Sequence, residues 1–198
     1  MGRIGLFDLE KHFAFYGAYH SNPINILIHT FFVWPILFST LLLVYFTPSF
    51  FDFPSGFDHG HGLILNLGFV LTVIYSLFYI CLDKKAGSLA ALLCFLCWVG
   101  ASLLAQHLGF SVAWKVGLAA QLFCWTGQFI GHGVFEKRAP ALLDNLVQAF
   151  LMAPFFVLLE VLQSSLDYEP YPGFRSTVEA RISANIQEWQ ESKKKKIS

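Results

Sequence analysis

The chain has 198 residues, 56% of them apolar, with 22 phenylalanines, 13% charged residues and a formal net charge of zero. So little charge excludes a nucleic-acid binder, and so large an apolar share excludes an ordinary soluble domain of this length. What remains is an all-α polytopic membrane helical bundle, with about four spanning helices plus a re-entrant or interfacial helix pair.

The first dozen residues, MGRIGLFDLEKH, mix acid and base and do not read as a signal peptide. The Met-Gly start resembles a myristoylation site only superficially, because Leu6 stands where Ser or Thr is wanted. An amphipathic helix capped by Asp8 follows and is expected to carry His12 on its surface. Next comes Tyr19-His20-Ser21-Asn22-Pro23. Pro23 suits the first position of a helix and Asn22 its N-cap, so His20 falls just before the helix and His29 near its second turn.

Four apolar runs, 26–46, 62–82, 88–105 and 113–131, contain a single Lys or Arg between them, Lys115, and no Asp or Glu. Each is about long enough to cross a hydrocarbon layer of ~30 Å as a helix. His59 and His61 lie in the intervening loop FDFPSGFDHGHG and read as solvated, although a His-x-His pair is able to bind metal. His107 follows the third run. All four cysteines, Cys81, Cys94, Cys97 and Cys124, sit inside apolar runs. Cys94-x-x-Cys97 has no second pair, so these are expected to be reduced helix residues and not a zinc or redox motif.

Lys84 and Lys85 follow the second run, Lys137 and Arg138 the fourth, and four lysines stand near the C-terminus, whereas 47–61 and 106–112 contain no Lys or Arg. The positive-inside rule then places the N-terminus, the 83–87 turn and 132–140 in the cytosol. Residues 141–162 contain Asp144, Asn145, Gln148, Pro154 and Glu160. They read as a re-entrant or interfacial pair of half-helices broken near Pro154, the alternative being a fifth span with a luminal tail. Irregular backbone at that depth requires packing on protein or a cavity. An amphipathic helix is expected within 170–192, and Lys195-Lys196-Ile197-Ser198 resembles a dilysine retrieval signal, which is read in the cytosol.

By this topology His20, His29 and His132 share one membrane edge, where ionisable groups are functional candidates by default. Gln128, His132 and Glu136 are spaced i, i+4, i+8 and share a face on a continuous helix. A histidine and a carboxylate one turn apart make two metal ligands, or a ligand with its supporting acceptor. The plainer alternative has His132 bonded to a buried Asn and Glu136 paired with Lys137 or Arg138. Gly127, Gly131 and Gly133 leave room for a close approach.

Two segments together carry a family resemblance: Tyr19-His20-x-Asn22-Pro23-x-Asn25-x3-His29, and Gly127-Gln128-Phe129-x-Gly131-His132-x3-Glu136-x3-Pro140-Ala141-Leu142. They resemble the signature segments of the endoplasmic-reticulum 2-hydroxy fatty acid dioxygenases of yeast and plants. The likeness covers roughly residues 5–165, including Asp144-Asn145-Leu146-Val147-Gln148. It implies an Fe(II)-dependent enzyme of fatty acid α-oxidation that uses O2 to shorten long-chain 2-hydroxy acids, such as those from phytosphingosine breakdown, by one carbon. It further implies that His20, His29 and His132 are the iron ligands and that Glu136 is a catalytic residue, either binding iron or supporting the site. Asn22, Asn25 and Gln128 are expected to support the ligands or bind the substrate carboxylate, and His107 is a further candidate to complete the metal site.

The chemistry is compatible, since imidazoles suit mononuclear non-haem iron and leave coordination positions open. A 2-hydroxy acid is itself a bidentate ligand through its carboxylate and hydroxyl oxygens. On this reading residues 1–169 form the helical membrane catalytic domain and 170–198 a cytosolic amphipathic helix and basic tail. The setting is the endoplasmic-reticulum membrane, with membrane lipid and not nucleic acid as partner. Two alternatives stand beside it: a non-catalytic membrane adaptor or lipid-binding protein, and a di-iron lipid hydroxylase. The latter needs clustered HxxxH and HxxHH boxes that the chain lacks.

Overall fold

The computed structural model describes residues 5–50, 63–140 and 145–195. The described residues are all-helical: α1 (Leu9–Ala18), α2 (Pro23–Val44), α3 (Leu67–Leu82), α4 (Lys84–Leu108), α5 (Phe110–Ile130), α6 (Ala153–Leu166) and α7 (Phe174–Lys195), with π-helical turns at Gly131–Glu136 and Gln148–Met152. Among them no strand occurs. They divide into two compact units, residues 1–29 with 129–198, and residues 30–128.

Among the described residues three helical segments are long and apolar enough to cross a membrane: Pro23–Val44, Lys84–Leu108 and Gln148–Leu166. α3 is apolar but only 16 residues long. It starts later than the expected run because the Asn66 side chain accepts from the N–H groups of Gly68 and Phe69, capping the helix there. α5 is long, at 21 residues, but contains Lys115, Gln121 and Gln128. The third candidate contains Pro154, where a break was expected. The helix instead continues, because the proline lies at the start of α6, directly after the π-helical turn, where its missing N–H costs little.

In the unit of residues 30–128, α3 and α4 form a hairpin with Asp83 alone between them. Its side chain accepts from Ala86 N–H at 2.7 Å and caps α4, so Lys84 and Lys85 stand in the first turn of a helix and not in a loop. A Cβ on Gly87 would lie 2.0 Å from the Tyr79 carbonyl oxygen, which makes glycine a packing requirement there. α5 presses on α2 in the same way, since a Cβ on Gly127 would lie 2.2 Å from Cε2 of Phe32. Gln121 Nε2 donates to Ile36 O, Ser39 Oγ and Thr40 Oγ1, each at 2.9 Å, while its Oε1 accepts from Trp125 Nε1. That polar knot is satisfied on both sides of the amide, as apolar surroundings demand.

In the other unit α7 lies along α1. Phe174 and Val178 are buried and Ile182 fills the space that a Cβ on Gly17 would need. Glu10 accepts from the Tyr171 hydroxyl and pairs with Arg181 at 2.7 Å. Phe13 makes ring contacts with Tyr16, Phe156 and Phe174, joining α1, α6 and α7. Fully burying one such ring contributes about 1.5–3 kcal/mol. α7 thus shares a compact unit with α1. His12 differs from its expected surface position. It is buried, its Nε2–H donates to Gly5 O at 3.1 Å, and its Nδ1 accepts from Gln148 Nε2 at 2.8 Å.

Candidate metal centre

The site grows from the end of α1. Tyr19 caps the helix, His20 N–H donates to Gly17 O, and the chain turns through Ser21 and Asn22 into Pro23. Asn22 behaves as the expected N-cap, its Oδ1 accepting from Ile24 N–H at 2.9 Å. His29 then lies in the second turn of α2. His132 is the second residue of the π-helical turn that follows α5, a helix type frequent at functional sites. The backbone of that turn is pinned, because the His132 carbonyl accepts from both Lys137 and Arg138 N–H and Lys137 adopts φ 54°.

The three imidazoles meet. Their ring centroids are 4.3 Å (His20–His29), 4.9 Å (His20–His132) and 4.8 Å (His29–His132) apart. All three residues are buried, and one potential ligand atom from each lies within 4.8 Å of the others. A zinc-like first-row ion takes imidazole nitrogen at about 2.0–2.1 Å, so donors this close can converge on one ion with small ring rotations.

Hydrogen bonds determine the tautomers of two rings. His20 Nδ1–H donates to Tyr16 O at 2.7 Å and His29 Nδ1–H donates to Asn25 O at 2.9 Å, so the lone pair of each is on Nε2. His20 Nε2 and His132 Nδ1 are buried and have no hydrogen-bond partner among the described residues. An unsatisfied buried polar atom costs about 1–3 kcal/mol, and a bound cation would satisfy both. Burial, with His29 and His132 nearby, holds His20 well below the usual histidine range. Burial also brings His132 down to about 4, with Glu136 opposing. Near neutral pH their lone pairs therefore do not compete with protons. Three neutral imidazoles suit iron, zinc, copper or nickel.

Glu136 is placed beside these rings by its own set of bonds. Oε1 accepts from Ser21 N–H at 3.0 Å, and Oε2 accepts from Asn22 N–H and Asn25 Nδ2, each at 3.0 Å. Both oxygens are thus used in holding the start of α2, where the helix dipole favours an anion. Asn25 is fully buried and its second Nδ2 hydrogen donates to Tyr19 O at 3.2 Å. Gly131 leaves space for it, because a Cβ there would lie 2.4 Å from Asn25 Oδ1. Arg138 does not pair with Glu136. Its guanidinium lies 3.6 Å over the Tyr19 ring and 5.0 Å from the Trp189 ring, and donates to Ala18 O at 2.7 Å.

Gln128 is buried, the last residue of the other unit, with Nε2 unpartnered among the described residues. His107 is exposed in the last turn of α4. His59, His61, Ala141, Leu142, Asp144 and Lys196 lie outside the described residues. Sequence reasoning missed Tyr16, whose ring stacks on His20 at 4.0 Å, and its partner Glu160, which was visible only as a charge in an apolar stretch.

The family described as 2-hydroxy-palmitic acid dioxygenase Mpo1-like matches residues 6–165. A relative from Saccharomyces cerevisiae, the 2-hydroxy-palmitic acid dioxygenase MPO1, is 38% identical over 158 residues, 80% of this chain and 82% of its own length. No solved structure matches this chain significantly.

Proposed function

Because this chain belongs to the 2-hydroxy-palmitic acid dioxygenase Mpo1-like family, we propose that it is a membrane dioxygenase of long-chain 2-hydroxy fatty acids in which His20, His29 and His132 hold one Fe(II). The observation that carries the metal reading is the convergence of three buried imidazoles, two with unpartnered nitrogens. When bound, iron supplies open coordination positions and the redox chemistry that O2 requires. The reaction would cleave the C1–C2 bond of the 2-hydroxy acid and leave an acid one carbon shorter.

The chain's own residues have definable tasks in this reading. The carbonyls of Tyr16 and Asn25 hold two ring protons, which aims each Nε2 and raises its basicity. Glu136 ties the turn carrying His132 to the start of α2 and acts as a positioning residue. Asn22 caps that helix and Asn25 bridges Glu136 and Tyr19. Burial of the rings excludes water from the metal. In the same unit Ile24, Leu27 and Val134 are exposed apolar side chains, suited to keeping an acyl tail in hydrocarbon while its polar head reaches the imidazoles. We further assign the protein to the endoplasmic-reticulum membrane, as the family resemblance implies, with 132–140 on the cytosolic side, on the Lys and Arg of alternate loops.

The deciding experiment incubates anaerobically purified, detergent-solubilised protein with Fe(II), O2 and 2-hydroxy-palmitic acid, and measures the fatty acid one carbon shorter. That product is expected from the unaltered chain and not from His132→Ala. Equal product from both removes the proposed site, and iron absent from an intact preparation after reconstitution favours the adaptor.

A further inference from the structure

Glu160 is a carboxylate on α6, inside a segment apolar enough to cross a membrane. No cation pairs with it among the described residues. Its hydrogen bond comes from the Tyr16 hydroxyl, which donates to Oε2 at 3.0 Å across 144 residues of sequence. An intramembrane acid is costly enough to suggest a task.

The task is legible in what Tyr16 touches. Its ring stacks on the His20 imidazole, 4.0 Å between centroids and 20° between planes. Its carbonyl accepts the His20 Nδ1 proton at 2.7 Å. The ring contact sets the tilt of the imidazole and the carbonyl sets its rotation in plane, so Tyr16 determines where Nε2 points. Tyr16 is itself held, its ring by Phe13 and Phe156 and its hydroxyl by Glu160. Phe156 and Glu160 are one turn apart on α6 and so share the face that meets α1.

We propose that Tyr16 and Glu160 form a positioning pair that orients His20 toward the metal. This rests on the metal reading of the three histidines. A catalytic constellation tolerates only about 10–20° of misorientation, so a loosened ring costs affinity and changes the ligand field without unfolding the chain. Glu160 acts here as the acceptor that fixes a phenol, and an amide in its place does the same.

Full-length protein in detergent is titrated with Co(II), whose visible spectrum reports ligand geometry. The unaltered chain is expected to bind one ion with a band that His132→Ala abolishes. Tyr16→Phe and Glu160→Leu are expected to bind Co(II) about 10–100-fold more weakly and to show a shifted band at saturation. Glu160→Gln keeps an acceptor for the phenol and is expected to restore both affinity and band. Unaltered affinity and band in Tyr16→Phe overturn the proposal, and this variant decides alone should Glu160→Leu fail to insert. Weaker binding with an unshifted band also overturns it, since that is support of the fold alone. If the unaltered chain shows no His132-dependent site, the metal reading itself fails and the pair fails with it.

Discussion

Glu136 accepts the backbone N–H of Ser21 at 3.0 Å, although 115 residues separate the two. That bond, with those from Asn22 and Asn25, joins the turn bearing His132 to the turn between His20 and His29. Hydrogen bonds to a charged acceptor are worth about 1.5–3 kcal/mol each at the upper end. Glu136→Gln leaves one oxygen and turns an NH2 toward N–H donors. The expected result is intact insertion with metal bound about 10–100-fold more weakly, measured by competition with a chelator. A Glu136→Gln protein of unchanged affinity would remove this role.

Each of His20→Ala, His29→Ala and His132→Ala should insert normally, because most packing comes from Phe, Leu and aromatic contacts elsewhere. Iron per chain and product formation should both fall to near background. His107→Ala, at an exposed position, is the control and should retain both. Metal analysis alongside the chain-shortening assay tests the set.

Gly131→Ala places a methyl group 2.4 Å from Asn25 Oδ1, whereas a Cβ on Gly133 meets nothing within 4 Å. The first substitution should push Asn25 off Glu136 and abolish high-affinity metal binding. Gly133→Ala should leave binding intact. Equal affinity in the two variants would mean that this close approach does not matter.

Acid should destabilise the metal-free protein. Burial lowers the folded-state pKa of His12 and His20, and takes that of His132 to about 4, all below the 6.5 expected for an unfolded chain. As pH falls below about 6.5 the unfolded chain binds protons that the folded chain refuses, so stability is full above that pH and declines toward about 4. Thermal melts of apo protein across that window should show a falling midpoint, with a shallower slope in His132→Ala. A flat profile would contradict the buried neutral imidazoles.

Phe174 is fully buried between α7 and the α1 aromatic cluster. Phe174→Ala should cost about 3–5 kcal/mol, seen as a lowered melting midpoint, whereas Ser183→Ala on the exposed face should change little. Equal melting of the two would mean that α7 is not part of this packed unit.

The sequence by itself determined the class and the local punctuation. Long uncharged runs marked the apolar helices, of which α2 and α4 are long and apolar enough to cross a membrane, and Asn22-Pro23 marked the start of α2 because capping and proline geometry depend only on neighbours in the chain. The two signature segments also named the residues now seen together, His20, His29 and His132. Tertiary structure alone decided what each polar group does. Whether His12 is exposed, which oxygens Glu136 offers to α2, and that Glu160 holds the phenol beneath His20 are contacts across 111 to 144 residues. No local period encodes them, since a carboxylate or imidazole on an apolar helix reads the same whatever partner arrives. Only packing brings that partner, because a buried polar atom is stable where another chain segment supplies its hydrogen bond.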